Sequence, residues 1–171
     1  MARDATWRRG TAALEFALVA PVLVALATGC VGLVQLVRVD MDLSQSAQTM
    51  AQLIANQTTI TPAQMTDFCA GAFDTMTPYV TTGLTISVAS VTHGGGGIGT
   101  DWNDTSCGSG TAIASPGTLA ASLLPGTGDS AIVAQASYTY HNPLALVLPA
   151  LFSLSATAYA RPRGNATIVH N

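Results

Sequence analysis

Three arginines, Arg3, Arg8 and Arg9, stand ahead of an apolar run from about Phe16 to Val37. No other feature restricts what this chain can fold into so tightly. As a helix rising 1.5 Å per residue, about twenty apolar residues match the hydrocarbon thickness of a bilayer. The 171-residue chain then has room for that anchor and one further domain. Basic residues before the run, and Asp40 and Asp42 after it, predict a single pass with the N-terminus in the cytoplasm. Everything from about Asp40 onward is then periplasmic or extracellular. A cleaved secretory signal is the plainer alternative, but its apolar region is shorter, about 7–15 residues, and ends in a small-residue cleavage site.

Composition supports an anchored, folded protein. Hydrophobic residues make up 49% of the chain and charged ones 9%, too apolar for disorder and too poor in charge for an ordinary cytosolic protein. There is no Lys, the formal net charge is −3, and no basic stripe can neutralise a phosphate backbone, which excludes nucleic acid as a partner. Glu15 is the one Glu in the sequence and sits at the cytoplasmic mouth of the apolar run. At the centre of a membrane helix an acidic residue costs about 2.5–3.5 kcal/mol, and less near the interface. Taken alone, Glu15 reads as an interfacial carboxylate that reaches water or pairs with Arg8 or Arg9.

It does not stand alone. The order Arg8-Arg9-Gly10-Thr11-Ala12-Ala13-Leu14-Glu15-Phe16, set against the apolar run, resembles the leader junction of type IV prepilins. The stretch Gly10-Thr-Ala-Ala-Leu-Glu-Phe-Ala-Leu-Val-Ala-Pro21 is similar to the opening of the TadE/TadG-like proteins of the tight-adherence (Flp, type IVb) pilus system. Their typical start is R-G-x-x-x-[VL]-E-[FY]-A-[LI]-x-x-P. The family often carries an acidic residue near the outer end of the span, where this chain has Gln35-Leu36-Val37-Arg38. The resemblance implies a minor pseudopilin with a leader over 1–10, a transmembrane helix over 11–39 and an exported domain over 40–171. It implies cleavage between Gly10 and Thr11 by a membrane aspartyl prepilin peptidase, with the apolar helix retained. Glycine suits such a junction because a chain without a side chain can lie extended in a narrow cleft. The freed Thr11 amine could pair with Glu15 of its own or a neighbouring subunit as subunits pack, because buried charges are tolerable when paired. Pro21 should bend the helix. The implied partners are the peptidase, other pilins and pseudopilins, inner-membrane Tad platform proteins and the lipid bilayer.

Beyond the run, Leu43, Ala47, Met50, Ala51 and Ile54 recur at helical spacing, which predicts that the first helix continues to about Asn56. Thr61-Pro62-Ala63-Gln64 reads as a capping box with proline at the first helical position. Met65, Phe68, Cys69, Ala72, Phe73 and Met76 then mark one face of a helix that ends before Pro78. Leu84 to Val91 has strand character, broken by His93-Gly94-Gly95-Gly96-Gly97. Ile98 to Trp102 reads as a short strand, Asn103 to Gly110 as polar loop, and Ala131 to Tyr140 and Ser153 to Ala160 as further strands. Pro143-Leu-Ala-Leu-Val-Leu-Pro149 is apolar but bounded by prolines; a second membrane span is the competing reading of it. The expected fold is α+β and pilin-like: a long N-terminal membrane-spanning helix continuing onto a small antiparallel sheet with one or two further helices.

Cys30 lies within the span, whereas Cys69 and Cys107 both fall in the exported, oxidising part and are candidates for a disulfide; Cys69 as plain core is the alternative. Enzyme signatures are missing. His93, His141 and His170 show no metal-ligand spacing, and His93-Gly-Gly-Gly comes without a G-x-S-x-G elbow. The glycine run lacks the strand–turn–helix setting of a dinucleotide loop, so no cofactor is expected. Two readings remain: a pilus-assembly subunit, or a membrane-anchored binding or adhesion module that never polymerises. The loop from Thr92 to Gly110, with Trp102 in it, is the plausible contact surface; Trp102 as a local core plug is the alternative.

Overall fold

The computed structural model describes residues 3–142, 149–165 and 167–171. It divides into two compact units, Met1–Val37 with His141–Phe152, and Arg38–Tyr140 with Ser153–Asn171. The architecture is α+β, as the sequence predicts, with the long apolar helix followed by a small antiparallel sheet and short helices.

Helix α1 runs over Arg3–Ala55 without interruption, with Pro21 inside it. It ends where Asn56 turns its own amide back: the Asn56 backbone N–H and its Nδ2 both donate to the Gln52 carbonyl, at 3.2 and 2.9 Å. That occupies a carbonyl the helix end leaves free. In its last four turns Val39, Leu43, Ala47, Met50, Ala51 and Ile54 are fully buried, the one-sided stripe their spacing predicts.

Strand β1 (Thr59–Ile60) leads to α2 (Pro62–Asp74). The capping box is present: Gln64 N–H donates to Thr61 Oγ1 at 3.4 Å, and Thr61 N–H donates to Gln64 Oε1 at 3.0 Å. Met65, Ala72 and Met76 are the fully buried members of the predicted stripe, while Phe68, Cys69 and Phe73 are half-buried. A buried hydroxyl ties α2 to α1, with Ser46 Oγ donating to the Ala72 carbonyl at 2.7 Å.

The sheet contains β2 (Leu84–Gly94), β3 (Gly97–Cys107), β4 (Ser130–His141) and β5 (Leu151–Ala160) in the order β3-β2-β4-β5. The β2–β4 ladder is regular from Leu84↔Tyr138 to Thr92↔Ser130. The β2–β3 ladder is irregular between Ile86 and Val88 and between Ser90 and Val91. β2 is central and buried on both faces, so its serines need partners. Ser87 Oγ donates to the Thr111 carbonyl at 2.7 Å, and Ser90 Oγ to Asp101 at 2.9 Å. On one face Ala89, Val91, Ala131 and Val133 pack with Ile113, Ala120 and Leu124, the last three from the segment around the short helix α3 (Pro116–Leu119). A parallel pair formed by β1 and β6 (Val169–His170) completes the structure.

Two expectations are corrected here. The glycine run does not end the strand at His93: β2 continues to Gly94, turns at Gly95 and Gly96, and returns as β3. Nor is Asn103–Gly110 a loop, because β3 runs on to Cys107. β3 is an edge strand, where one side of the ladder is open and polar residues are tolerated. Its polar side chains also find partners: Asn103 Nδ2 donates to the Ile113 carbonyl at 3.1 Å, and Asp104 accepts from the Ser106 N–H at 2.9 Å. Loop composition misleads when each polar group is satisfied along an edge. The Pro143–Pro149 run lies outside the described residues apart from Pro149.

Candidate assembly segment

From Ala13 to Val37 α1 presents apolar side chains to its surroundings on every side. Leu14, Phe16, Leu18, Val24, Leu26 and Val34 are each more than 60% exposed. Only Ala20 and a stripe at the outer end, Thr28, Gly29, Gly32, Gln35 and Leu36, are less open, with Gly32 buried. A helix apolar around its circumference needs lipid or other helices around it, since water would be the worst solvent for it. Its one hydroxyl in mid-run is internally satisfied, with Thr28 Oγ1 donating to the Val24 carbonyl at 2.7 Å. This stretch is long and apolar enough to cross a membrane.

The sequence-derived residues fall on this helix as follows. Gly10 and Thr11 lie within α1 as backbone. Glu15 is exposed and follows Thr11 by four residues, so the Thr11 nitrogen and Glu15 lie about 6 Å apart along the axis, on the same side. Pro21, six residues on, offers no N–H to the Ala17 carbonyl. The segment is thus a helix with a single acid near one end of a lipid-length apolar surface.

Residues 10–52, about a quarter of the chain, match the family model of TadE-like proteins. That segment is similar to TadE-like proteins. The match begins at Gly10 and takes in Glu15, Pro21, the whole exposed apolar stretch and most of the buried stripe that follows. No curated protein and no solved structure matches the chain.

Outside the TadE-like segment the remaining candidates take structural places. Cys69, on α2, and Cys107, at the end of β3, are joined in a disulfide with Cα atoms 5.5 Å apart. His93 is held by its surroundings: Nδ1 lies 2.8 Å from the Leu124 carbonyl, and its backbone bonds Gly128 and Asp129. No group of three or more His, Cys, Asp or Glu gathers among the described residues. Trp102 is a half-buried plug rather than the centre of an exposed loop. Its indole N–H donates to the Ile168 carbonyl at 2.8 Å and its ring lies 5.1 Å from that of His170. His170 Nε2 in turn lies 3.2 Å from Asp104 Oδ2. The sequence gives no local signal for this group, because its members come from β3 and β6, far apart in the chain.

Proposed function

We propose that the chain is a membrane-anchored minor pilin-like subunit needed to assemble a Tad/Flp-type pilus. The observation that supports it most is a coincidence: the TadE-like match covers the same stretch of α1 that exposes an apolar surface all round. In this reading residues 1–10 are a leader removed by a prepilin peptidase, 11–39 span the inner membrane with the N-terminus in the cytoplasm, and 40–171 form the exported domain. The role is structural and assembly-related, with no catalytic step. The peptidase, other pilins and pseudopilins, and the inner-membrane Tad platform proteins are the partners.

Mechanistically, two features of the segment divide the work. The apolar surface partitions equally well into lipid and into a bundle of like helices, so it can leave one for the other at small net cost. Glu15 supplies the selectivity: inside a helix bundle its carboxylate needs a cation, and the freed Thr11 amine of an adjacent subunit is one. Cleavage therefore creates the partner that assembly requires. The test compares the mass of the membrane-extracted protein from peptidase-positive and peptidase-null cells. The expected difference is the loss of residues 1–10. An intact N-terminus in both would overturn processing and leave the anchored binding module. Gly10→Ala should slow the cut, and a bulkier residue should block it.

A further inference from the structure

The two edges of the four-stranded sheet are built differently. β3 carries the devices by which an edge strand avoids a second strand. Asp101 and Asp104 place two charges on it, and its ladder with β2 loses register twice, between Ile86 and Val88 and between Ser90 and Val91. Its end is pinned as well, by the Cys107 bond to α2. β5, at the other end of the order β3-β2-β4-β5, has no such charge or bond. From Leu151 to Ala160 it reads Leu-Phe-Ser-Leu-Ser-Ala-Thr-Ala-Tyr-Ala, ten residues without a charge, a glycine or a proline. No strand lies beyond it among the described residues. Ser153–Ala160 is the part of β5 that shares a compact unit with β2 and β3. Exposure alternates along it: Ser153, Ser155, Thr157 and Tyr159 are exposed, Leu154, Ala156 and Ala160 are half-buried, and Ala158 is buried. One face is packed, the other is open, and the free side offers a row of backbone N–H and C=O groups.

We propose that this edge pairs antiparallel with the same edge of a second copy of the chain. Charge selects the occupant. A strand without charges is matched by a strand without charges, and of the two edges of this sheet only β5 qualifies, since β3 brings Asp101 and Asp104. Charge also sets the direction. Arg161 and Arg163 follow the strand at once. Parallel pairing would set the arginines of the two copies side by side, where like charges repel. Antiparallel pairing carries each Arg161 to the head of the partner strand, beside Leu151 and Ser153, where no charge stands. A twofold axis normal to the sheet also leaves Leu154, Ala156 and Ala158 of both copies on one side, so the packed faces continue across the junction. The contact is isologous and closes at two copies. The assembly role proposed above is not needed for it: β5 lies outside the TadE-like segment, and the contact requires neither cleavage after Gly10 nor Glu15.

The test is sedimentation equilibrium of the full chain in detergent, with Cys30→Ala as the background so that no free thiol links the copies. The expected result is a dimer that dissociates on dilution. Ser155→Lys and Thr157→Lys each put a charge at an exposed position of the edge, and each should raise the dimer Kd by roughly tenfold or more. Thr100→Lys, at an exposed position of β3, should leave it unchanged. Retention of the Cys69–Cys107 bond checks the folding of every variant. Hydrogen exchange on the chain without the lysines gives a second reading: peptides covering Ser153–Ala160 should gain protection between monomer and dimer concentrations. A monomer at every concentration, or no gain of protection over Ser153–Ala160, would overturn the proposal. A dimer indifferent to both β5 lysines would place the association elsewhere, on α1 for example, and overturn it too. Weakening by Thr100→Lys as much as by the β5 lysines would replace it with head-to-tail pairing of β5 on β3.

Discussion

Opening the Cys69–Cys107 bridge should weaken the α+β fold by an amount that the structure sets. The bond joins residues 38 apart in sequence, and it fastens α2 to the last residue of the edge strand β3. In the chain-entropy account, closing a loop of that length removes about 13 cal/mol/K from the unfolded ensemble, or about 4 kcal/mol at 25 °C. Domains of this size are stable by only about 5–15 kcal/mol, so the loss is a large part of the whole. With a urea slope of about 2 kcal/mol/M, the midpoint should fall by roughly 2 M. The assay is urea unfolding of the detergent-solubilised full chain, followed by circular dichroism, with and without reductant. The Cys69→Ser/Cys107→Ser pair should unfold where the reduced protein does. Coincident midpoints for oxidised, reduced and doubly substituted protein would refute the reasoning: the bridge would then constrain nothing that the packing of α2 had not already fixed.

Other outcomes follow from single residues. Glu15→Ala should be inserted and cleaved normally yet fail to support piliation, because the buried Thr11 amine loses a partner worth about 3–5 kcal/mol; normal pili at normal membrane levels would count against it. Gly108→Ala should lower the melting temperature by the equivalent of about 1–3 kcal/mol, since Gly108 has φ +79° and an added Cβ would run into the Leu84 carbonyl oxygen; an unchanged thermal transition would contradict this. Burial raises the pKa of the Tyr138 hydroxyl above its ordinary 10.0, with Tyr140 and Tyr79 adding to the effect, and Tyr138 donates to the Val80 carbonyl at 2.8 Å. The unfolded chain therefore loses this proton first, so the stability from Tyr138 is whole below pH 10 and is lost as pH rises above it toward the folded value. Tyr138→Phe should flatten that alkaline slope in a melting-temperature series while lowering the neutral-pH value by about 1 kcal/mol, and an unaltered slope would rule the assignment out.

What could be read from the sequence was what repeats locally. The apolar run, the stripe from Leu43 to Ile54 and the Thr61–Gln64 cap each announce themselves within a few turns, and each is where it was expected. Glu15 is conspicuous in the sequence as one acid against an apolar run, and it is exposed on α1. The misread stretch, Asn103 to Cys107, has a loop's composition but a strand's conformation, because its place at the sheet edge and its bonds to Ile113 and Ser106 are tertiary facts. The same holds for Trp102: no window around it contains Ile168 or His170. The segment around α3 was missed altogether, since its cover over Ala89 and Val91 comes from three scattered residues, Ile113, Ala120 and Leu124, with no period among them.

The pairing of β6 with β1 bears on how the chain reaches its folded form. Thr59 and Ile60 are paired with Val169 and His170, 110 residues further along the chain. The Asn171 N–H donates to the Ile60 carbonyl at 3.1 Å, and the Trp102 indole waits for Ile168. Contacts of such long sequence separation form late, because the loop they close must be ordered first. Until residues 168–170 are in place, Ile60 has no strand beside it and Trp102 lacks the Ile168 carbonyl and the His170 ring. During that interval the strand Thr59–Ile60 is open to pairing with another copy.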